Sequence, residues 1–235
     1  MAIRGILFDK DGTLIAANAT WVPIYKSMLM AEFNNDGTVV EKLMIAAGYN
    51  PTTDGFKAGS ILAAGTIDQL VDVWWPELSA LEKRAKVQMI NRDYADAGRK
   101  FLQPLMDLVP VFDELHELGM VLGVATNDIN ASAVNHMQQI GVHDYFVQII
   151  GADDVELPKP SGQMIARFSA ATGLAPHEIA MVGDNSHDID EARAGGAGLA
   201  IGVLTGNAAH EDIAHLADYT LPSVADIATL LRKLA

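Results

Sequence analysis

The chain has 235 residues, half of them hydrophobic, with 0 cysteines and a formal net charge of -14. That length allows one large domain, or a domain with a smaller one inserted. The composition excludes disulfides, zinc–thiolate sites and a cysteine nucleophile, and so acidic a chain argues against sequence-independent nucleic-acid binding, which needs clustered Lys and Arg.

The N-terminus has no long apolar run ahead of its charges, so it does not resemble a signal peptide. "AIRGILF" reads as a short buried strand that ends at Asp9. From Trp21 to about Arg99 the spacing turns helical, in "WVPIYKSMLMAEF", "TVVEKLMIAAG", "GSILAAG", "TIDQLVDVWWPEL" and "LEKRAKVQMINRDYADAGRKF". Turn signals such as "NNDG" and "NPTTDG" separate these runs. No strand is expected there, and Trp74, Trp75 and the methionines around Met28 are expected to pack its interior. After "QPLMD" the rhythm becomes α/β. Helices over "VPVFDELHEL", "NASAVNHMQQIG", "GQMIARFSAATG", "DIDEARAGG" and "VADIATLLRKLA" alternate with strands over "MVLGVAT", "YFVQIIGA", "IAMVGD", "GLAIGVL" and "DYTLP". Such alternation predicts a parallel sheet covered on both faces. The longest uncharged run, "AGGAGLAIGVLTGNAA", is too short and glycine-rich to span a bilayer. The expectation is a soluble, cytoplasmic protein with no membrane or nucleic-acid partner; the sequence does not fix its oligomeric state.

Ligands of parallel sheets bind beyond the carboxyl ends of the strands, and polar residues stand there. The first strand ends in Asp9-Lys10-Asp11-Gly12-Thr13, another in Thr126-Asn127-Asp128, and a third is followed by Lys159 between two prolines. A fourth ends in Gly183-Asp184-Asn185, with Asp188 four residues after Asp184. One edge would gather Asp9, Asp11, Asp184 and Asp188. Clustered carboxylates repel unless a cation accompanies them. Lys159 is one such cation, and Mg2+, a hard ion that takes oxygen ligands, is the other. Together with backbone N–H groups at a helix start they could hold a phosphate inside an acidic protein. A carboxylate can then attack phosphorus, and a second can protonate the leaving alcohol. Thr126, Asn127 and Lys159 are suitable donors to phosphoryl oxygens.

Each feature has a plainer reading. Asp-Gly is a common turn pair, and Asp184 and Asp188 could be favourable charges at a helix N-terminus, as Asp190 and Glu191 are expected to be. Thr126 could be a helix cap and Lys159 a solvated loop lysine. Lys10 is expected to point away from the two aspartates. The seven histidines, His187 included, are expected to be structural or exposed.

The ordered set "FDKDGTL", "VATN", a lone Lys before Pro, and "VGDNSHDIDEARAGGA" resembles the haloacid-dehalogenase-like hydrolases. The helical insert after the first motif resembles the C1 cap of their phosphoglycolate-phosphatase-like branch. The resemblance implies a Rossmannoid α/β core, residues 1–16 and 104–235, with an all-helical cap over 17–103. It implies Asp9 as nucleophile and metal ligand, and Asp11 as general acid/base whose backbone carbonyl also binds metal. Thr126 and Lys159 would hold the phosphoryl group, Asp184 would be the third Mg2+ ligand, and Asp188 would orient Lys159 or a metal-bound water. Thr13 and Gly183 would be supporting residues. Some phosphoglycolate phosphatases carry a lysine where this chain has Asp128, which places an acidic residue near the substrate mouth. The expected activity is Mg2+-dependent hydrolysis of a small, phosphoglycolate-like phosphate ester through an aspartyl-phosphate. A phosphosugar mutase and a non-catalytic binding or regulatory module on the same fold are the alternatives. A dehalogenase needs neither Asp11 nor the metal, and a phosphonatase needs a cap lysine for a Schiff base. Linkers near Ala16–Ala19 and Lys100–Leu105 are expected hinges, and the loop Phe56–Ser60, through Lys57 and Ser60, is an expected specificity element.

Overall fold

The computed structural model describes residues 2–234, apart from the side chains of 93–100. β1 (Gly5–Phe8) is apolar after Gly5 and fully buried. Helices α1 (Ala17–Glu32) and α2 (Gly37–Ala46) follow, then strands β2 (Tyr49–Asn50) and β3 (Gly55–Phe56), and helices α3 (Ile61–Ala64), α4 (Ile67–Trp74) and α5 (Ala80–Phe101). The alternating part runs α6 (Val109–Glu117), β4 (Val121–Ala125), α7 (Asn130–Gln139), β5 (Phe146–Ile150), α8 (Gln163–Thr172), β6 (Ile179–Gly183) and α9 (Ser186–Gly195). It closes with β7 (Leu199–Val203), α10 (His210–Ile213), β8 (Tyr219–Leu221) and α11 (Ile227–Leu234). Among the described residues, no helix is long and apolar enough to cross a membrane.

The six-stranded sheet has the order β5-β4-β1-β6-β7-β8, and every neighbouring pair is parallel. β1 is therefore flanked by β4 on one side and β6 on the other. The chain builds outward from β1 in both directions, and the reversal opens a crevice at its carboxyl end. The sheet buries one face under α6 and α11, around Phe8, Phe112, Val124 and Val182. The other lies under α8 and α9, around Leu7, Phe168, Met181 and Ile189.

The segment between β1 and α6 has its own apolar cluster, containing Trp21, Tyr25, Leu29, Phe56, Trp74 and Trp75 with Met28 against it. Trp74 and Trp75 are interior, as expected. The segment is helical but for one small hairpin, which pairs Tyr49 with Phe56 and Asn50 with Gly55. Two-residue strands are too short to show a period. What makes this one is its turn: Asn50 Oδ1 accepts from the Thr52 N–H at 3.0 Å, and Asp54 takes a left-handed φ of 48°.

The chain leaves the sheet and returns to it side by side. Ala16 N–H donates to the Gln103 carbonyl at 2.8 Å, Leu105 N–H to the Leu14 carbonyl at 3.0 Å, and Ile15 bridges Pro104. The expected hinge segments are shorter than the sequence implied. Ala17–Ala19 already lie in α1 and Lys100 and Phe101 in α5, because both helices run up to the crossing.

Candidate active site

β1 delivers Asp9 to the crevice, its N–H bonded to the Val182 carbonyl of β6 at 2.8 Å. The chain then turns back on itself, with Leu14 and Ile15 N–H both donating to the Lys10 carbonyl. Gly12 has a φ of +90°, and a Cβ there would lie 2.6 Å from the Asp184 carboxylate. Only glycine meets both demands. β6 ends at Gly183, where a Cβ would come within 2.2 Å of the Asp188 carboxylate. Asn185 and Asp188 cap α9: Asn185 accepts from Ser186 N–H and Asp188 from Asn185 N–H. The expected residues Asp9, Thr126, Lys159, Asp184 and Asp188 all arrive at this edge, and all are buried.

Lys159 Nζ donates to Asp9 Oδ1 at 2.6 Å and to Asp188 Oδ1 at 2.7 Å. Burial pulls its pKa down, but the Asp188 and Asp9 charges outweigh that and hold it above the ordinary value. Asp9 is pushed up to about 6, by burial first, with Lys159 opposing and Asp188 adding. Asp188 is raised by burial against the pull of Lys159. Asp184 is raised well above the carboxylate range by burial and then by the charges of Asp9 and Asp188. One of its bonds comes from the Asn207 N–H, at 3.1 Å to Oδ2. His187 stands beside this group, Nε2 3.4 Å from Asp188 Oδ1. Burial and then Lys159 lower its pKa to about 3, so the ring is neutral.

Asp11 accepts on both oxygens: Lys10 Nζ at 2.5 Å on Oδ2 and Trp21 Nε1 at 2.5 Å on Oδ1. Burial raises its pKa, but Lys10 and the two hydrogen bonds outweigh that and hold it low. Lys10 does not point away from Asp11, as the sequence reading expected. The chain leaves the strand geometry after Asp9, which turns Lys10 into the protein. There a cation survives only when paired, and Lys10 is: besides Asp11 it meets Asp128 Oδ2 at 3.2 Å and His136 Nδ1 at 3.3 Å. The acidic Asp128 is occupied by this pairing, by Ser132 Oγ at 2.7 Å and by the Ile129 N–H at 2.8 Å.

Thr126 Oγ1 accepts from the Asp128 N–H at 3.1 Å. It closes a turn and does not cap α7, which begins at Asn130. Asn127 Nδ2 spends both hydrogens, on the Ala64 carbonyl at 2.9 Å and the Lys159 carbonyl at 3.2 Å. Its amide thus ties β4's loop to α3, and in this arrangement has no N–H left for a phosphoryl oxygen. Thr13 is fully buried, and its Oγ1 has no partner among the described residues. Glu191 serves a helix N-terminus, but that of α8: its carboxylate accepts from the N–H groups of Gly162, Met164 and Ile165.

Two adjoining cavities open here. A small one of about 50 Å³ is lined by Asp9, Asp11, Trp21, Thr126 and His187, among others. A larger one of about 600 Å³ shares Ala64, Gly65, Asn127 and His187 with it. Ser60 lines the larger cavity, but Lys57 lines neither and is exposed. Ser60 Oγ is turned toward Gly48, where a Cβ would lie 2.4 Å from it.

The expected metal set is Asp9, Asp184 and the Asp11 carbonyl. Among the described residues, the side chains whose ligand atoms converge within 4.8 Å are instead Asp9, His187 and Asp188. That group stands around the Lys159 ammonium, which offsets one of its two carboxylate charges. The carboxylate left among like charges is Asp184. It is seated where Gly12 and Gly206 leave out a Cβ, which at Gly206 would lie 1.7 Å from Oδ2. Two crowded, desolvated carboxylates offering oxygen donors fit a hard dication such as Mg2+.

Four contributors were missed in the sequence. His187 stands inside "GDNSHDID" without a paired histidine, so its spacing carries no ligand signal. Lys10, Trp21 and Asn207 carry no local signal, since their partners lie across the fold.

A family model described as haloacid dehalogenase-like hydrolase matches residues 6–201. The chain belongs to that family and is an enzyme of its hydrolase class. A phosphoglycolate phosphatase of Chromobacterium violaceum is 34% identical, over 98% of this chain and 97% of that protein. A pyrophosphatase PpaX of Anoxybacillus flavithermus is 28% identical over 98% of each. Among solved structures, a haloacid dehalogenase-like family hydrolase of Streptococcus pneumoniae shares the fold with a TM-score of 0.69 at 19% identity, covering 97% of this chain and 98% of that one. Within the family, the chain lies in the phosphoglycolate-phosphatase-like branch.

Proposed function

We propose that the protein is a cytoplasmic, Mg2+-dependent phosphomonoesterase that works through an aspartyl-phosphate. The observation that carries this reading is the shared cavity. Asp9 and Asp11 line the same small space as Thr126, and Lys159 stands on Asp9 at 2.6 Å.

Asp9 attacks phosphorus through a carboxylate oxygen, and the bond from phosphorus to the ester oxygen breaks. The electron pair stays on that oxygen, which takes a proton from the protonated form of Asp11, a form that the Lys10 and Trp21 contacts disfavour until the leaving oxygen displaces the indole N–H from Oδ1. Water then attacks the aspartyl-phosphate and gives its proton to the Asp11 carboxylate. The Asp9–phosphorus bond breaks, releasing phosphate and restoring the Asp9 carboxylate. Lys159 and Thr126 hold phosphoryl oxygens, and Asp188 fixes Lys159. Mg2+, held by Asp9, Asp184 and the Asp11 carbonyl, would neutralise phosphoryl charge in both steps. Gly183 serves by admitting the Asp188 carboxylate, and Thr13 stands fully buried in the turn that follows Asp11.

The segment 17–103 acts as a cap on a core made of 1–16 and 104–235. Trp21 and Ala64 bring it into contact with Asp11 and Asn127, and a cap so placed excludes bulk water during transfer. The relatives' names make phosphoglycolate and pyrophosphate the first substrates to assay. The larger cavity carries Asp68, Asp153 and Glu156, which disfavour a second anionic group, so small neutral sugar phosphates belong beside them.

Release of inorganic phosphate from 4-nitrophenyl phosphate, with Mg2+ and with EDTA, tests the reading. Turnover with Mg2+ and its loss with EDTA are expected. No turnover would leave the non-catalytic alternative; with a sugar phosphate as substrate, isomerisation without phosphate release would leave the mutase.

A further inference from the structure

Lys10 is a fully buried cation to which the phosphoryl-transfer steps give no task. Its surroundings are built. Nζ meets Asp11 Oδ2 at 2.5 Å, Asp128 Oδ2 at 3.2 Å and His136 Nδ1 at 3.3 Å, and it lies 5.1 Å from the centre of the Trp21 ring. Asp128 is itself fixed by the Ile129 N–H and by Ser132 Oγ.

An ammonium offers donors and no acceptor. Lys10 therefore holds Oδ2 of Asp11 from inside the protein. Oδ1 is the oxygen that the Trp21 indole reaches. Trp21 and Asp11 both line the small cavity, so Oδ1 can exchange the indole N–H for the oxygen of a leaving group or water.

We propose that Lys10, anchored by Asp128, is a positioning residue for acid–base catalysis: it claims Oδ2 of Asp11 and thereby presents Oδ1 to the catalytic cavity. The inference rests on the phosphomonoesterase reading above. It also gives position 128 its chemistry. An acidic side chain there balances Lys10, and a lysine at both positions would bury two like charges together.

The test compares kcat/KM for two esters of similar shape. Phenyl phosphate releases a phenoxide whose conjugate acid has a pKa of about 10, like tyrosine. 2,4-Dinitrophenyl phosphate releases a far weaker base that needs no proton. Lys10→Met is expected to lower kcat/KM for phenyl phosphate by about 10–100-fold, part of what a general acid supplies, and to affect the dinitrophenyl ester far less. The variant leaves the half-buried Asp128 carboxylate without its cation, so Lys10→Met/Asp128→Asn is made beside it. The double variant should show the same split with an unchanged near-UV circular dichroism spectrum and Mg2+ affinity by calorimetry. Equal losses on both esters in the folded double variant, or no loss on either, overturn the proposal. If the wild type turns over neither ester, the phosphomonoesterase reading fails, and this inference with it.

Discussion

The sheet edge and the helical segment bury their side chains on opposite principles. At the edge, Asp9, Lys10, Lys159, Asp184 and Asp188 are buried ionisable side chains. Each has a partner within hydrogen-bond reach, but that of Asp184 is the neutral Asn207 N–H, and it alone is left among like charges without a cation. In the helical segment, Trp74 stands edge-on to Tyr25 at 5.6 Å and to Trp75 at 5.9 Å, and its indole N–H is satisfied by the Leu43 carbonyl. Buried ion clusters add little to stability, whereas buried aromatics carry much of it. Chemistry and cohesion are thus spatially separated, and Trp21 joins them, with its ring in the aromatic cluster and its N–H on Asp11.

Breaking one side should therefore leave the other largely intact. Asp9→Asn should reduce kcat by about 10⁴-fold or more, as loss of a nucleophile does, while the urea midpoint moves little. Appreciable turnover in the folded variant would remove Asp9 from the nucleophile's role. Trp74→Ala is the reverse case. It should cost about 3–5 kcal/mol in denaturant unfolding, with the folded fraction still active on an aryl phosphate; a loss of activity as deep as that of Asp9→Asn would abolish the separation.

His136 sharpens the comparison by linking charge to stability. Burial, and then the Lys10 charge, lower its pKa from 6.5 to about 4. Below pH 6.5 the unfolded chain binds a proton that the folded chain refuses. The stability His136 contributes is complete above that pH and is lost as pH falls toward 4, about 3 kcal/mol in all. Urea midpoints of wild type and His136→Gln, measured across pH 7 to 4, should converge on acidification; parallel profiles would show that His136 is not the group involved. The smallest effect belongs to Lys57, exposed and lining neither cavity. Lys57→Ala should shift kcat/KM by no more than about twofold for any ester in a panel, the usual scale of a surface change. A reordered panel would restore the loop as a reader of substrate.

The strands and their terminal residues were legible because a buried parallel strand reads as an apolar run and its last polar residue stands out. Asp9, Thr126, Lys159, Asp184 and Asp188 were all marked in this way, and strand alternation brought their chain-distant positions to one edge. Lys10 departs from the expectation because β1 ends at Phe8, and the turn that follows brings Lys10 and Asp11 together. Trp21 looked like one more core aromatic, and nothing in its neighbours reveals a carboxylate ten positions back. Gly206 and Asn207 lie in the loop after β7, and nothing local in their sequence ties them to Asp184 on the neighbouring strand. The hairpin at Tyr49–Phe56 fell below the length at which period means anything.

The paired crossing of Ile15 and Pro104 has a meaning for the history of such chains. Because the outgoing and returning backbones are already hydrogen-bonded to each other, the sheet experiences everything between them as one tied-off loop. Segments attached at such closely spaced ends can change length and content without disturbing what they hang from. Substrate preference can then evolve by exchanging the attachment, while the arrangement of carboxylates and lysine at the sheet edge is inherited unchanged.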